Sequence, residues 1–196
     1  MAHLITKKRL IKLIRMKKIA FVTGLLISFC ANAQDYLTRN GSASFYSHTA
    51  LEDVKANNNE VVSVLNSSTG AMDFKIAVKS FHFAKQAMED HFNDADYMDS
   101  EKFPKAGFSG KIVNLSEVNF TKDGTYKVSV QGNLTIRDVT KPITAAGTIT
   151  IKNGAVSAQS TFSVNRKEFH VYGQSFVQSK LADEIQVTIN CQYEKR

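Results

Sequence analysis

Tryptophan is absent from this chain of 196 residues, and only two prolines and two cysteines occur. Cys30 and Cys191 are too few for a disulfide-stapled scaffold, so stability must come from a buried core, which a chain of this length can build. Pro104 and Pro142 leave long stretches free of strand breakers. Acidic excess is lacking as well: 25 Lys and Arg stand against 18 Asp and Glu, a formal charge of +7. That surplus is local. Seven of the basic residues and none of the acids lie within residues 1–33, so 18 basic face 18 acidic groups from residue 34 onward. A nucleic-acid binder needs clustered positive charge to displace counterions from phosphates. Nucleic acid is excluded as a favoured partner. The longest apolar run, Ile19–Phe29, is also far short of the ~20 residues of a membrane-spanning helix.

What is present at the front is a leader. Met16-Lys-Lys precedes the apolar run, and Ala31-Asn32-Ala33 precedes Gln34. A basic segment, a short apolar segment and a small-x-small site predict a secretory signal peptide cut after Ala33. Residues before Met16 then form an upstream start or an extended basic segment. The expectation is a periplasmic or secreted protein without a transmembrane segment after cleavage. Two alternatives stay open: a retained anchor, and a lipoprotein modified at Cys30, against which the bulky Phe29 stands. Cys191 is in phase with Ile185, Val187, Ile189 and Tyr193, which reads as an inert core thiol.

Beyond the leader the dominant signal has period two. Met72, Phe74, Ile76 and Val78 alternate with polar or small residues, and so do Tyr126 to Ile136, Ile143 to Ile151, Val156 to Val164 and Ile185 to Tyr193. Such alternation predicts antiparallel strands with one wet and one dry face. Asp123-Gly124 and Asn153-Gly154 read as tight hairpin turns between them. One segment differs: Ala84, Ala87, Met88, His91 and Phe92 share a helical stripe, predicting a short helix over 84–92. About eight strands with dry faces that must all meet predict an all-β single domain over 34–196. A closed barrel is preferred to a sandwich because closure removes edge strands. Gly110, Gly132 and Gly147 fall within the dry faces, where glycine suits bending or close approach.

Templates for catalysis find little. There is no Gly-rich phosphate loop and no Gly-x-Ser-x-Gly elbow. His48, His82, His91 and His170 are scattered without metal-ligand spacing. Asp90, Asp94, Asp96 and Asp99 lack the glycine and terminal glutamate of a calcium loop. Ser47-His48 has no evident third partner. The expectation is no enzyme, no metal and no cofactor.

The remaining chemistry is apolar, concentrated around the helix in Phe74, Phe81, Phe83, Met88, Phe92, Tyr97, Met98, Phe103 and Phe108. Two readings stay open. One is a cavity for a long hydrocarbon, since a barrel of about eight strands just holds a small ligand. The other is a structural or stress-related barrel with a core filled by its own side chains and no ligand. If a ligand is held, Phe74, Ile76, Met88, Phe92, Phe108 and Ile112 are the candidate contacts. Phe74 and Ile76 share a strand face, as do Phe108 and Ile112, and Met88 and Phe92 are a helical i, i+4 pair.

Three stretches carry a resemblance. They are His91–Gly110 with its Tyr97-Met-Asp-Ser-Glu-Lys-Phe-Pro-Lys-Ala-Gly-Phe core, Gly132-Asn-Leu-Thr-Ile-Arg-Asp-Val-Thr-Lys-Pro-Ile143, and Phe162-Ser-Val-Asn-Arg-Lys-Glu-Phe169. Together and in this order they resemble the YceI-like family of exported bacterial lipid-binding proteins. The resemblance implies a lipocalin-like antiparallel barrel enclosing a polyisoprenoid or similar long-chain lipid, with no catalytic group. Lys102, Lys105, Arg137 and Lys141 lie in these motifs as candidates for an anionic headgroup, or as ordinary solvated cations. Family members commonly begin with a longer first hairpin. Here Ala43-Ser-Phe-Tyr-Ser-His48 is followed by a compact Leu51-Glu-Asp-Val-Lys55, which marks a short-front-end variant. Oligomeric state is left open, a dimer included.

Overall fold

The computed structural model describes residues 34–174 and 181–196; the expected leader, with Cys30, lies outside them. Among the described residues nine strands and one α-helix follow in order: β1 (Asp35–His48), β2 (Asp53–Asn66), β3 (Ala71–Ala77), β4 (His82–Phe83), α1 (Gln86–Asn93), β5 (Lys105–Ile112), β6 (Gly124–Ile136), β7 (Val139–Lys152), β8 (Ala155–Asn165) and β9 (Glu184–Lys195). Every pairing is antiparallel. The order β1-β9-β8-β7-β6-β5-β3-β2, with β1 paired back to β2, closes eight strands into a barrel, and β4 adds only to β2. This is the all-β barrel that the alternation predicts: eight one-sided strands bury their dry faces together inside it, and closure leaves no unpaired edge among them.

The two ends of the barrel differ. At one end, Tyr36, Leu65, Ile112, Ile151, Val156 and Tyr193 are all buried. Leu115, Val118 and Phe120, from the connection between β5 and β6, pack against that cluster. The Tyr36 and Phe120 rings stack at 5.8 Å, and the buried hydroxyls of Ser63 and Tyr193 satisfy each other at 2.8 Å. This end is sealed. The other end carries α1 and the long connections after β3 and β8.

Several local expectations need correction. The helix starts at Gln86 rather than Ala84; Lys85 caps it in an extended conformation without a side-chain bond. The Glu89 carboxylate instead reaches back to accept the Phe83 N–H at 3.2 Å. The front end is not short, since β1 and β2 are strands of 14 residues each. Only the connection 49–52 is compact. Period two hides β2 because Asn57, Asn58 and Asn59 interrupt it at a register shift, where Val61 pairs with Gly41 and Asn58 with Ala43. Buried Asn58 is satisfied there by the Ala77 carbonyl and the Glu60 N–H.

Asn153-Gly154 is a two-residue turn, both residues at positive φ (51° and 79°), as Asn-Gly pairs adopt readily. Asp123-Gly124 is not. Gly124 opens β6 after a longer connection, and the Asp123 carboxylate accepts the Asn153 N–H at 3.0 and 3.1 Å. The other two-residue turn is Arg137-Asp138, with Arg137 at φ 54°.

Two ladders stop short of their strands' ends: β2 and β3 pair only from Val62–Lys75 to Leu65–Met72. β7 and β8 pair only from Gly147–Ser160 to Lys152–Ala155. Beyond that point both continue as strands, β7 paired to β6 and β8 paired to β9.

Candidate functional site

Inside the barrel, on the α1 side of the sealed end, is a cavity of about 500 Å³. That volume lies within the ~300–1,000 Å³ typical of small-molecule sites. Its floor is set by Ala43, Met72, Val128 and Ile149, and its walls rise through Phe74, Phe108, Leu134 and Val187. Toward α1 four rings gather: Phe45, Phe81, Phe83 and Phe92, with centroids 5.1 to 5.7 Å apart. They join β1, β4 and α1 through apolar contact in tilted, stacked and edge arrangements. A helix of two turns with no buried residue of its own has little else to hold it.

Five of the six candidate contacts stand on the cavity wall: Phe74, Ile76, Met88, Phe92 and Phe108. Ile112 does not. It ends β5 in the sealed end, 3% exposed, with its N–H bonded to the Gly70 carbonyl at 2.9 Å. Period two identifies the inward face but carries no depth along the barrel, so Ile112 shares Phe108's face and lies below the floor. Phe103, counted among the large side chains, is also off the wall and sits beneath Lys102 and Arg137. Phe45 lines the cavity but lies in a part of β1 where no regular alternation singles it out.

Phe108 owes its position to two glycines. Gly110 and Gly132 are directly paired between β5 and β6. A Cβ on Gly132 would stand 2.4 Å from the Ser109 carbonyl and 2.6 Å from Phe108 Cζ. The ring therefore lies down over the glycine pair and meets Phe74 edge-on at 6.1 Å. Side chains at 110 and 132 would push it into the cavity.

Polar groups on the wall are few, and the buried ones are committed. Arg166, 6% exposed, donates to the carbonyls of Ala182 (2.9 Å), Val171 (2.9 Å) and Tyr172 (2.6 Å), and pairs with Asp183 at 3.2 Å. It pins both described ends of the connection between β8 and β9. Only the third motif pointed to it. Asp183 is held below the usual carboxylate range, first by the hydrogen bond from Lys167 and further by the nearby guanidinium. Ser47 Oγ accepts the Ala182 N–H at 3.1 Å. Its neighbour His48 points outward to Asp53 and Tyr46, so the two form no nucleophile–base pair. Hydrogen bonds from His48 and then Tyr46 lower the Asp53 pKa. Among the described residues no three His, Cys, Asp or Glu side chains converge as a metal site.

The four motif cations are not on the wall. Arg137 donates to the Tyr97 and His170 carbonyls (2.6 and 2.8 Å), and Lys141 pairs with Glu168 at 2.8 Å. Arg137 and Lys141 thus hold connections rather than face the cavity.

Comparison with known proteins places this arrangement. Residues 36–193 match the YceI-like domain. A UPF0312 protein of Vibrio campbellii is 31% identical over 147 residues, 66% of this chain and 72% of that protein. The fold superposes on a polyisoprenoid-binding domain from Saccharophagus degradans with a TM-score of 0.71 at 10% identity, covering 84% of this chain and 99% of that one. BcnA of Burkholderia cenocepacia gives 0.65 at 19% identity, with 79% and 96% covered. The Campylobacter jejuni YCEI protein gives 0.59 at 20%, with 76% and 90% covered.

Proposed function

Because this chain belongs to the YceI-like domain family, we propose that it is an exported protein whose barrel sequesters or carries a long-chain isoprenoid or other lipid. One observation carries the reading: a closed barrel sealed at one end encloses about 500 Å³ bounded mainly by aliphatic and aromatic side chains. Moving a hydrocarbon chain there from water gains about 0.8 kcal/mol per methylene. The tail needs no polar partner, and the committed state of Arg166 and Ser47 leaves the inner wall dry. A core filled by its own side chains accounts for the sealed end but not for this space. The solved domain from Saccharophagus degradans, described as polyisoprenoid-binding, has the same fold and supports the ligand class. The chain catalyses nothing in this reading.

Organic extraction of folded protein from its native host, followed by mass analysis, tests the proposal. A stoichiometric lipid is expected. A blank extract from protein that also takes up no added long-chain lipid would overturn it. Intact mass of the same material reports export: the mature chain begins at Gln34, while a lipidated Cys30 would replace a free carrier by an anchored one.

A further inference from the structure

A β-barrel wall is normally sewn by backbone hydrogen bonds, and β7 and β8 are unsewn for half their length. The termination is built in. At the fork, Gly147 brings the two backbones close; a Cβ there would stand 2.8 Å from the Gln159 carbonyl. One step beyond, Ser160 Oγ donates to the Ala146 carbonyl at 2.7 Å. That carbonyl is the acceptor a continued ladder would offer to the Thr161 N–H. A side chain that takes a strand's acceptor competes with the ladder. Four residues further along β7 lies Asn133–Pro142, a β6–β7 pair. Proline has no N–H, and antiparallel pairs alternate between bonded and non-bonded types. Pro142 is therefore of the non-bonded type toward β6 and turns its nitrogen toward β8, where it removes a donor. The Thr150 carbonyl, of the same parity, accepts from Ser157 of β8, which confirms the direction.

The seam above the fork is closed by side chains instead. Ile143 of β7 and Phe162 of β8 pack half-buried on the cluster of Leu134, Val164 and Phe169, and both line the cavity. Outside them the exposed Thr144, Thr161 and Ser163 face solvent. At the far end, the Lys141–Glu168 ion pair ties β7 to the 3-10 turn that follows β8. The opening between these ties spans roughly 16 Å at ~3.3 Å per residue.

We infer that this seam is a side entrance through which the lipid chain enters and leaves the cavity, an inference that rests on the lipid-binding reading. Parting a paired ladder would strand several backbone donors and acceptors without partners, each at a cost. Parting this seam breaks no ladder bond, and the lipid chain replaces the apolar contacts it displaces.

Thr144→Cys/Ser163→Cys places two exposed thiols across the seam in the register the ladder would have had. They are joined as a disulfide or, where that is out of reach, by a short bis-alkylating reagent. Cys191 is buried with its thiol pushed up to about 11 and stays out of the reaction. Thr125→Cys/Thr150→Cys, across the sewn β6–β7 pair, is the control. The probe is cis-parinaric acid exchanged from phosphatidylcholine vesicles, with equilibrium binding and exchange rates read separately. Bridging the seam leaves equilibrium binding intact and slows loading and release at least tenfold, while bridging the control pair changes neither. Unchanged rates across the seam, or equal slowing in the control, overturn the entrance while binding persists. No probe binding by any form, unbridged protein included, sinks the lipid reading and the entrance with it.

Discussion

Cys191 sits at 1% exposure beside Gly41, where a Cβ would come within 2.8 Å of its Sγ. Burial pushes its thiol from 9.0 to about 11 and raises the Tyr193 hydroxyl in the same direction. The neutral thiol is favoured in the fold, so its contribution is complete below pH about 9 and fades as pH rises toward 11. At ~1.36 kcal/mol per pKa unit the loss is on the order of 2 kcal/mol. Chemical denaturation at pH 8 and pH 11 should show it, and a thiol reagent at pH 8 should label Cys191 only on unfolding. Phe108 separates a pocket from a core. Phe108→Asp puts a carboxylate on the cavity wall, where an unpaired polar group costs several kcal/mol. The expected outcome is lost lipid with a retained far-UV spectrum, because the ring borders empty space; global unfolding would mean that the site is solid core. Gly132→Ala should cost about 2 kcal/mol by urea denaturation, since its Cβ meets the Ser109 and Gly110 backbone, which cannot move aside, as well as the Phe108 ring. The wall residues were legible because period two sorts faces, and the i, i+4 pair of Met88 and Phe92 holds in α1. Ile112 was misplaced because depth depends on where the connection between β5 and β6 folds in, which no local pattern encodes.

At the scale of elements, α1 is the weakest joint. Its N-cap is Lys85, extended at φ −124° and ψ 127° but with no side-chain acceptor for the first N–H groups. Lys85→Ser keeps that backbone and supplies the acceptor, a change worth about 0.5–1 kcal/mol. The expected result is a melting temperature higher by about 1–4 °C, with lipid content unchanged. An equal gain from Lys85→Ala would show that lost charge, not capping, is responsible. Strands β6 to β9 were read well because their alternation is uninterrupted. β2 was not, because the polar run Asn57–Glu60 straddles a register shift and tertiary bonds from Asn58 replace the pattern. Arg137-Asp138 escaped notice for a related reason: Arg137 adopts positive φ without glycine, with its guanidinium held by the Tyr97 and His170 carbonyls.

For the whole molecule, binding and stability are linked. The sealed end supplies a conventional core, whereas the cavity leaves apolar side chains without partners on one side, which forfeits dispersion contact. A ligand that fills this space binds the folded state alone and stabilises it by RT ln(1 + [L]/Kd), about 2.7 kcal/mol at a hundredfold excess over Kd. For a domain of this size each kcal/mol moves the melting temperature about 2–4 °C. Delipidated protein titrated with a long-chain lipid should therefore melt about 5–11 °C higher at that excess. The shift should grow with chain length until the cavity is full and then level off. Salt should matter little, because residues 34–196 carry balanced charge and the buried wall cation, Arg166, is already bonded. A shift that depends steeply on ionic strength, or that short-chain analogues reproduce in full, would place the contact on the surface instead of in the barrel. Chain-length dependence decides the matter because only an enclosed hydrocarbon site counts methylenes.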